Sequence, residues 1–381
     1  MTEQAGQRGA VRVAAIDCGT NSLRLLIADI DQARGELADV DRRMEIVRLG
    51  QGVDATGRLA PEALERTFRV LADFARAISE SGVSAIRMVA TSATRDASNA
   101  GDFVRGVTEI LGVAPEVVRG DEEALLSFSG ATAELSQAAP ADDGERDDGE
   151  RDDGPAQAGR AAQDSGPQPP YLVVDIGGGS TEFVLGGTQP RRSQPGGSGP
   201  GGSGPGGSGP GGSGPAARGR TAGRLAAVSM DIGCVRLTER HLHGDPPATA
   251  EVEAATADID AALATVAAKV PVASARTLVG LAGSVTTVAG IALELPAYDA
   301  ARTHHARISA ATVHEVTGSL LSQTREQRAA ISVMHPGRVD VIGAGALVLD
   351  RIMTRLGFAE VMASEHDILD GIAWSIAAGA R

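Results

Sequence analysis

One short pattern occurs twice in this chain and restricts its fold more than any other feature. Asp-x-Gly-x-x-Ser appears at Asp17, Gly19 and Ser22, and again at Asp175, Gly177 and Ser180. Each copy lies between two apolar runs, Val11–Ile16 and Leu23–Ile30 for the first, Tyr171–Val174 and Phe183–Leu185 for the second. Short apolar runs bounded by turn residues read as buried strands, so each copy is a β-turn-β unit. A glycine-rich turn between strands can aim several backbone N–H groups at one point and let a ligand approach closely, which is how phosphate oxygens are held. An Asp at the strand end can reach Mg²⁺, directly or through water. One copy alone reads equally well as an ordinary hairpin turn. Two copies, at matching places in two segments, predict two phosphate loops that hold neighbouring phosphates of one ligand.

The surrounding pattern predicts α/β architecture with a mixed sheet in each half. After Met44–Leu49, read as a third strand, Pro61 opens a helix with Leu64, Phe68, Leu71, Ala75 and Ile78 on one face, and Gly82 stops it. Ala85–Ala90 reads as a strand, Asp102–Leu111 as a helix, Val117–Val118 as a strand, and Asp121 starts another helix. The second half restarts at Tyr171, with Leu225–Val228 as its next strand. Two tracts interrupt this order. DDGER repeats from Asp142 inside an Ala/Gln/Pro/Gly-rich segment, and GGSGP occurs four times between Gly196 and Pro215. Both lack the apolar residues that offset ordering entropy, so 137–170 and about 188–223 are expected to be disordered spacers, leaving 311 of the 381 residues to fold. The expected division is 10–136 for the first domain, 137–170 for the acidic insert, and 171–363 for the second domain.

Composition narrows the function. A formal net charge of -14 excludes a general nucleic-acid binder, which needs a basic face. It leaves room for a local arginine-lined cleft. Two cysteines, Cys18 and Cys234, make no disulfide framework, so the chain reads as cytoplasmic. No apolar run is long enough for a membrane span, and no membrane partner is expected. Cys18 reads as a small turn residue. His304, His305 and His335 lie in polar stretches, and their spacing gives no zinc motif. No GxxxxGK[ST] is present, which excludes a P-loop kinase.

Several stretches together resemble the exopolyphosphatase/guanosine pentaphosphate phosphohydrolase family. They are Asp17–Ser22, Ala90-Thr-Ser-Ala-Thr-Arg95-Asp-Ala, Gly120-Asp-Glu-Glu-Ala124, Asp175-Ile-Gly-Gly-Gly-Ser-Thr-Glu182, Gly280-Leu-Ala-Gly-Ser284 and Pro336-Gly-Arg338-Val-Asp340. The resemblance covers nearly the whole folded chain in its short form. It implies two actin-like ATPase (ribonuclease H-like) domains facing an interdomain cleft, with the C-terminal helix, about 364–381, returning to the first. It implies hydrolysis of a terminal phosphate from inorganic polyphosphate. The alternatives are a phosphorylated guanosine nucleotide or nucleoside triphosphate as substrate, or a nucleotide-bound actin-like scaffold. Glu123 matches the glutamate that activates water, and Glu122 reads as a helix cap. Asp175 and Glu182 match the carboxylates for Mg²⁺ (or Mn²⁺), with Asp17 assisting through water. Gly19, Thr20, Asn21, Ser22, Gly177, Gly178, Gly179, Ser180 and Thr181 are the loop residues for phosphate, and Arg95 is to clamp it. Gly283 and Ser284 belong to a glycine-punctuated strand-to-helix segment that either meets the ligand or serves close packing. A homodimer is compatible with the resemblance. The repeat tracts and the aspartate of Met230-Asp231-Ile-Gly-Cys234 depart from the family pattern, and the latter reads as a structural turn.

Overall fold

The computed structural model describes residues 10–135, 166–187 and 225–379. Both repeat tracts lie outside these residues. Two sheets organise the rest. The first comprises β1 (Val11–Cys18), β2 (Ser22–Asp31), β3 (Glu36–Ile46), β4 (Ala85–Ala90) and β5 (Glu116–Val117) in the order β3-β2-β1-β4-β5. The second comprises β6 (Tyr171–Ile176), β7 (Thr181–Gly186), β8 (Ala226–Met230), β9 (Thr277–Leu281), β10 (Arg307–Ser309) and β11 (Glu360–Ala363) in the order β10-β11-β9-β6-β7-β8. In each sheet the first three strands form an antiparallel meander, and the next strand joins the first one in parallel. Apart from the added edge strand β10, the two sheets have one topology used twice. The repeat puts the two Asp-x-Gly turns at equivalent strand ends.

The central strands are apolar on both faces because helices cover both. Along β1, Ala14, Ile16 and Cys18 enter one core with Leu71, Phe74 and Phe103 of the helices Pro61–Ser81 and Ala100–Leu111. Val13 and Ala15 enter the opposite core with Leu126 of the helix Gly120–Thr132 and with Ile368, Leu369 and Ile372 of the helix Ile368–Ala377. The C-terminal helix therefore packs on the first sheet, although β11 before it belongs to the second. Asp367 caps it, accepting from the Leu369 N–H, while Asp370 accepts from the Asp367 N–H.

Two stretches differ from the sequence reading. The third strand is Glu36–Ile46, and Val47–Leu49 lie beyond it. Its sequence, ELADVDRRMEI, is polar because it is an edge strand, and the apolar run after it is turned inward when the N–H groups of Val47 and Arg48 both bond the Asn21 carbonyl. Residues 166–170, grouped by composition with the acidic insert, are tied to the second sheet. The Gln168 N–H donates to Thr277 Oγ1, and the Arg276 N–H donates to the Pro170 carbonyl.

Candidate active site

The two turns meet face to face. Thr20 Oγ1 lies 2.9 Å from Ser92 Oγ, and both pack on Gly178 and Gly179. A Cβ at Gly179 would lie 2.5 Å from Ser92 Oγ and 2.6 Å from Thr20 Oγ1, so no side chain fits there while the loops touch. From behind, the segment after Asp231 braces the second loop. The N–H groups of Gly233, Cys234 and Val235 donate to the carbonyls of Gly179, Gly177 and Gly178. Asp231 itself is largely exposed and lies 3.8 Å from the Arg236 guanidinium.

Between the loops is a cavity bordered by Asp17, Gly19, Thr20, Asn21, Ser22, Glu123, Asp175, Gly177, Gly178, Ser180, Gly283 and Ser284. The structure thus gathers most of the residues singled out from sequence. Gly179 lies behind this wall, and Thr181 is fully buried with its hydroxyl donating to the Ile232 carbonyl, so neither faces the cavity. Ala282, at the start of the helix Ala282–Ala292, has a left-handed φ of 68° and directs that helix end at the cavity.

Register explains the electrostatics. Asp175 and Glu182 are directly opposed across the β6–β7 hairpin, two buried carboxylates side by side. Such pairing is unfavourable unless a cation or protons neutralise it. Burial, then the neighbouring Asp175, pushes Glu182 up to about 8. Burial, then Asp367, pushes Asp175 up to about 6, opposed by the Ser127 hydroxyl that donates to it at 2.7 Å. Burial, then Glu182, raises Glu123 well above the usual carboxylate range. Asp17 accepts from Arg24 with Oδ2 only, while its buried Oδ1 has no partner. The unpartnered oxygen of Asp17 and the raised carboxyl of Asp175, which feel each other's charge, are oxygen donors of the kind a hard divalent cation takes.

The arginines are distributed differently from the sequence expectation. Arg95 does not border the cavity. Its Nη1 donates to Glu123 Oε2 at 3.1 Å and to the Val118 carbonyl at 3.1 Å, so it holds the glutamate from outside the cavity lining. The cavity-facing guanidiniums are Arg24 and Arg338, to which sequence reasoning gave no role. Arg24 bridges Asp17 and Asp367. Arg338 donates to Thr287 Oγ1 at 3.1 Å, and no ion pair to it is found among the described residues. Burial lowers its pKa from the ordinary arginine value, as expected of a guanidinium awaiting an anion. The pattern that could have revealed Arg24 is its place opposite Asp17 in the first hairpin.

Beside this cavity and sharing Arg24, Gly283 and Arg338 with it is a second one of about 410 Å³, lined also by Arg42, Arg43, Met44, Tyr298 and Glu365. No helix among the described residues is long and apolar enough to cross a membrane.

Known proteins share this arrangement. Residues 26–141 and 210–378 match the Ppx/GppA phosphatase family. The chain is 44% identical to Exopolyphosphatase 2 of Mycobacterium tuberculosis over 377 residues, 96% of this chain and 98% of that protein. An exopolyphosphatase-like protein of known crystal structure is 37% identical, with a TM-score of 0.77 over 97% of this chain and 98% of the other. A Ppx/GppA member from Aquifex aeolicus is 26% identical, with a TM-score of 0.68 over 97% and 98%. With the repeated turn, the facing loops and the matched segments all in agreement, this chain belongs to the Ppx/GppA phosphatase family.

Proposed function

We propose that this chain is an exopolyphosphatase, a hydrolase that releases the terminal phosphate of inorganic polyphosphate by in-line attack of water. The observation that carries the reading is a buried Glu123 and Asp175 at a cavity between two glycine-rich loops, with the buried Glu182 opposed to Asp175 behind the cavity lining. Loop amides, Ser22, Ser180 and Ser284 would bind phosphate oxygens, and Arg24 and Arg338 would clamp the chain as it leaves the cavity. Glu123, held by Arg95, would orient the attacking water and take its proton. Asp175, Glu182 and Asp17 would hold Mg²⁺ or Mn²⁺. When bound, that ion supplies charge neutralisation at the phosphoryl oxygens. The buried Oδ1 of Asp17, which has no hydrogen-bond partner, supports this donor set.

A second substrate, guanosine pentaphosphate, is favoured by the 410 Å³ cavity, where Tyr298 and Glu365 offer a ring and a carboxylate beside Arg338. Phosphate release from short polyphosphate, long polyphosphate, guanosine pentaphosphate and ATP, each with Mg²⁺ and with chelator, separates these readings. Equal absence of release from all four would refute the hydrolase assignment. Concentration-dependent sedimentation with ATP would instead support a scaffold. We further propose that 10–136, joined by 364–381, and 171–363 are the two domains, and that the protein acts in the cytoplasm, where its buried free thiols Cys18 and Cys234 persist.

A further inference from the structure

Away from the cavity, three segments remote in sequence bring Glu134, His304 and His366 together. We propose that they form a binding site for a transition-metal cation of the zinc class, separate from the catalytic carboxylates. The ligand atoms of all three lie within 4.8 Å of one another. Glu134 Oε2 is 3.3 Å from His304 Nε2, and Glu134 Oε1 is 3.4 Å from His366 Nδ1. A tetrahedron with metal–ligand bonds of about 2.0–2.1 Å has edges of roughly 3.3–3.4 Å. The two separations run to different oxygens of Glu134, so with all three ligand atoms inside 4.8 Å a small side-chain rotation brings one carboxylate oxygen and both rings to one ion, with the fourth position open to water. The rings are arranged to keep that spacing: His304 stacks on His305 with centroids 3.7 Å apart and lies 4.7 Å from His366. Two imidazoles and a carboxylate select zinc-like ions over Mg²⁺, which prefers oxygen donors. The spacing of His304 and His305 along the chain conceals the site, because each ligand comes from a different element.

Glu134 follows the helix that carries Glu123 and stands eleven residues beyond it, about 16 Å at the helical rise. His366 immediately precedes Asp367, the partner of Arg24. A metal here would fasten the end of the catalytic helix to the β11–helix connection. Without metal, the His304 Nδ1 accepts from the Glu365 N–H at 3.2 Å, which leaves the ring proton on Nε2 facing Glu134. Coordination through Nε2 moves that proton to Nδ1 and gives up the Glu365 bond. This cost sets the site apart from a preformed structural zinc centre.

The test uses the full chain, stripped of metal and then kept in millimolar Mg²⁺ to fill oxygen-donor sites. Zn²⁺ is titrated calorimetrically, and Co²⁺ is followed by its visible absorption. The wild type should bind one more Zn²⁺ than His304→Ala/His366→Ala, and only the wild type should show the intense bands of four-coordinate Co²⁺. Glu134→Gln, at a half-exposed position, should fold normally and weaken Zn²⁺ binding by roughly tenfold or more, since even outer-shell partners contribute 10–100-fold. Zn²⁺ should also raise the melting temperature of the wild type and not of Glu134→Gln. Equal stoichiometry in wild type and double variant, or unchanged affinity in Glu134→Gln, would overturn the proposal.

Discussion

Replacing Gly371 by Ala should slow catalysis without touching any residue of the cavity. The helix Ile368–Ala377 crosses the helix Gly120–Thr132 at two glycines. A Cβ built at Gly371 would overlap the Leu126 carbonyl oxygen and lie 2.8 Å from its carbonyl carbon and 2.9 Å from Ser129 Oγ, where ordinary contact begins at 3.4 Å. Gly130 faces the same problem from the other side, against the Gly371 N–H at 2.9 Å. Backbone cannot rotate away as a side chain does, so the helices must part by roughly an ångström or more, at about 1–3 kcal/mol for overpacking. Leu126 is one helical turn from Glu123, and a shift of about 1 Å at a catalytic group can cost roughly 10²-fold. We expect Gly371→Ala to lower kcat for polyphosphate by roughly 10–100-fold with KM little changed, because both phosphate loops stay in place. The melting temperature should fall by several degrees, at roughly 2–4 °C per kcal/mol. Gly318→Ala is the control: it lies in the helix Ala310–Ser322 with nothing near its would-be Cβ, so it should be neutral or slightly stabilising. A Gly371→Ala enzyme with kcat within about twofold of wild type and an unshifted melting temperature would refute the close-packing argument.

Other expectations concern the charges. Glu123→Gln should reduce kcat by roughly 10²–10⁴ while substrate still binds, as read from phosphate release and equilibrium binding; wild-type turnover would remove Glu123 from the chemistry. Glu182 has a folded pKa of about 8 and Asp175 of about 6, both above the unfolded values, so the folded state holds extra protons between about pH 4 and 8. Their contribution is fully present at low pH and is lost as pH rises through those values. The metal-free protein should therefore melt lower at pH 8 than at pH 6, Mg²⁺ should restore more at pH 8, and Glu182→Gln should flatten the slope; a slope unchanged in that variant would contradict the assignment. Arg236 donates to the Gly179 carbonyl, Asp54 and Asp96, joining the second glycine loop to the helices Val53–Thr56 and Ser92–Asp96. Arg236→Ala should lower kcat/KM roughly tenfold or more, the scale of charge-assisted bonds, and an unchanged kcat/KM would show that loop closure does not depend on it.

How much of this was legible in the sequence depended on whether the signal was local. Strand β1 could be read because helices cover both its faces, making Val13 to Ile16 continuously apolar. The two turns could be read because glycine is needed where Gly178 and Gly179 press on Thr20 and Ser92. Strand β3 was misplaced because an edge strand pairs by its backbone and leaves Asp39, Asp41, Arg42 and Arg43 in solvent or ion pairs, so no apolar alternation marks it. The histidine–glutamate cluster was invisible because nothing in one dimension joins Glu134 to His366.

The arginines show the same limit at the site itself. In a chain whose positive charges are almost all arginine, residue type says little about which guanidinium faces the ligand. Position in the fold decides it. Arg95 is drawn to the carboxylate of Glu123, and that bond removes it from the cavity while holding the glutamate side chain. Arg24 is opposite Asp17 in the β1–β2 register, so the first loop carries a positive charge with it wherever the hairpin goes. Arg338 reaches the same space from a different element, and its guanidinium presses so closely on Gly283 that a Cβ there would collide with it. The glycine in Gly280-Leu-Ala-Gly-Ser284 is thus explained by the arginine in Pro336-Gly-Arg338, more than fifty residues later. Two motifs that look independent in sequence are one contact in the fold, and that contact turns a guanidinium with no ion pair among the described residues toward both cavities.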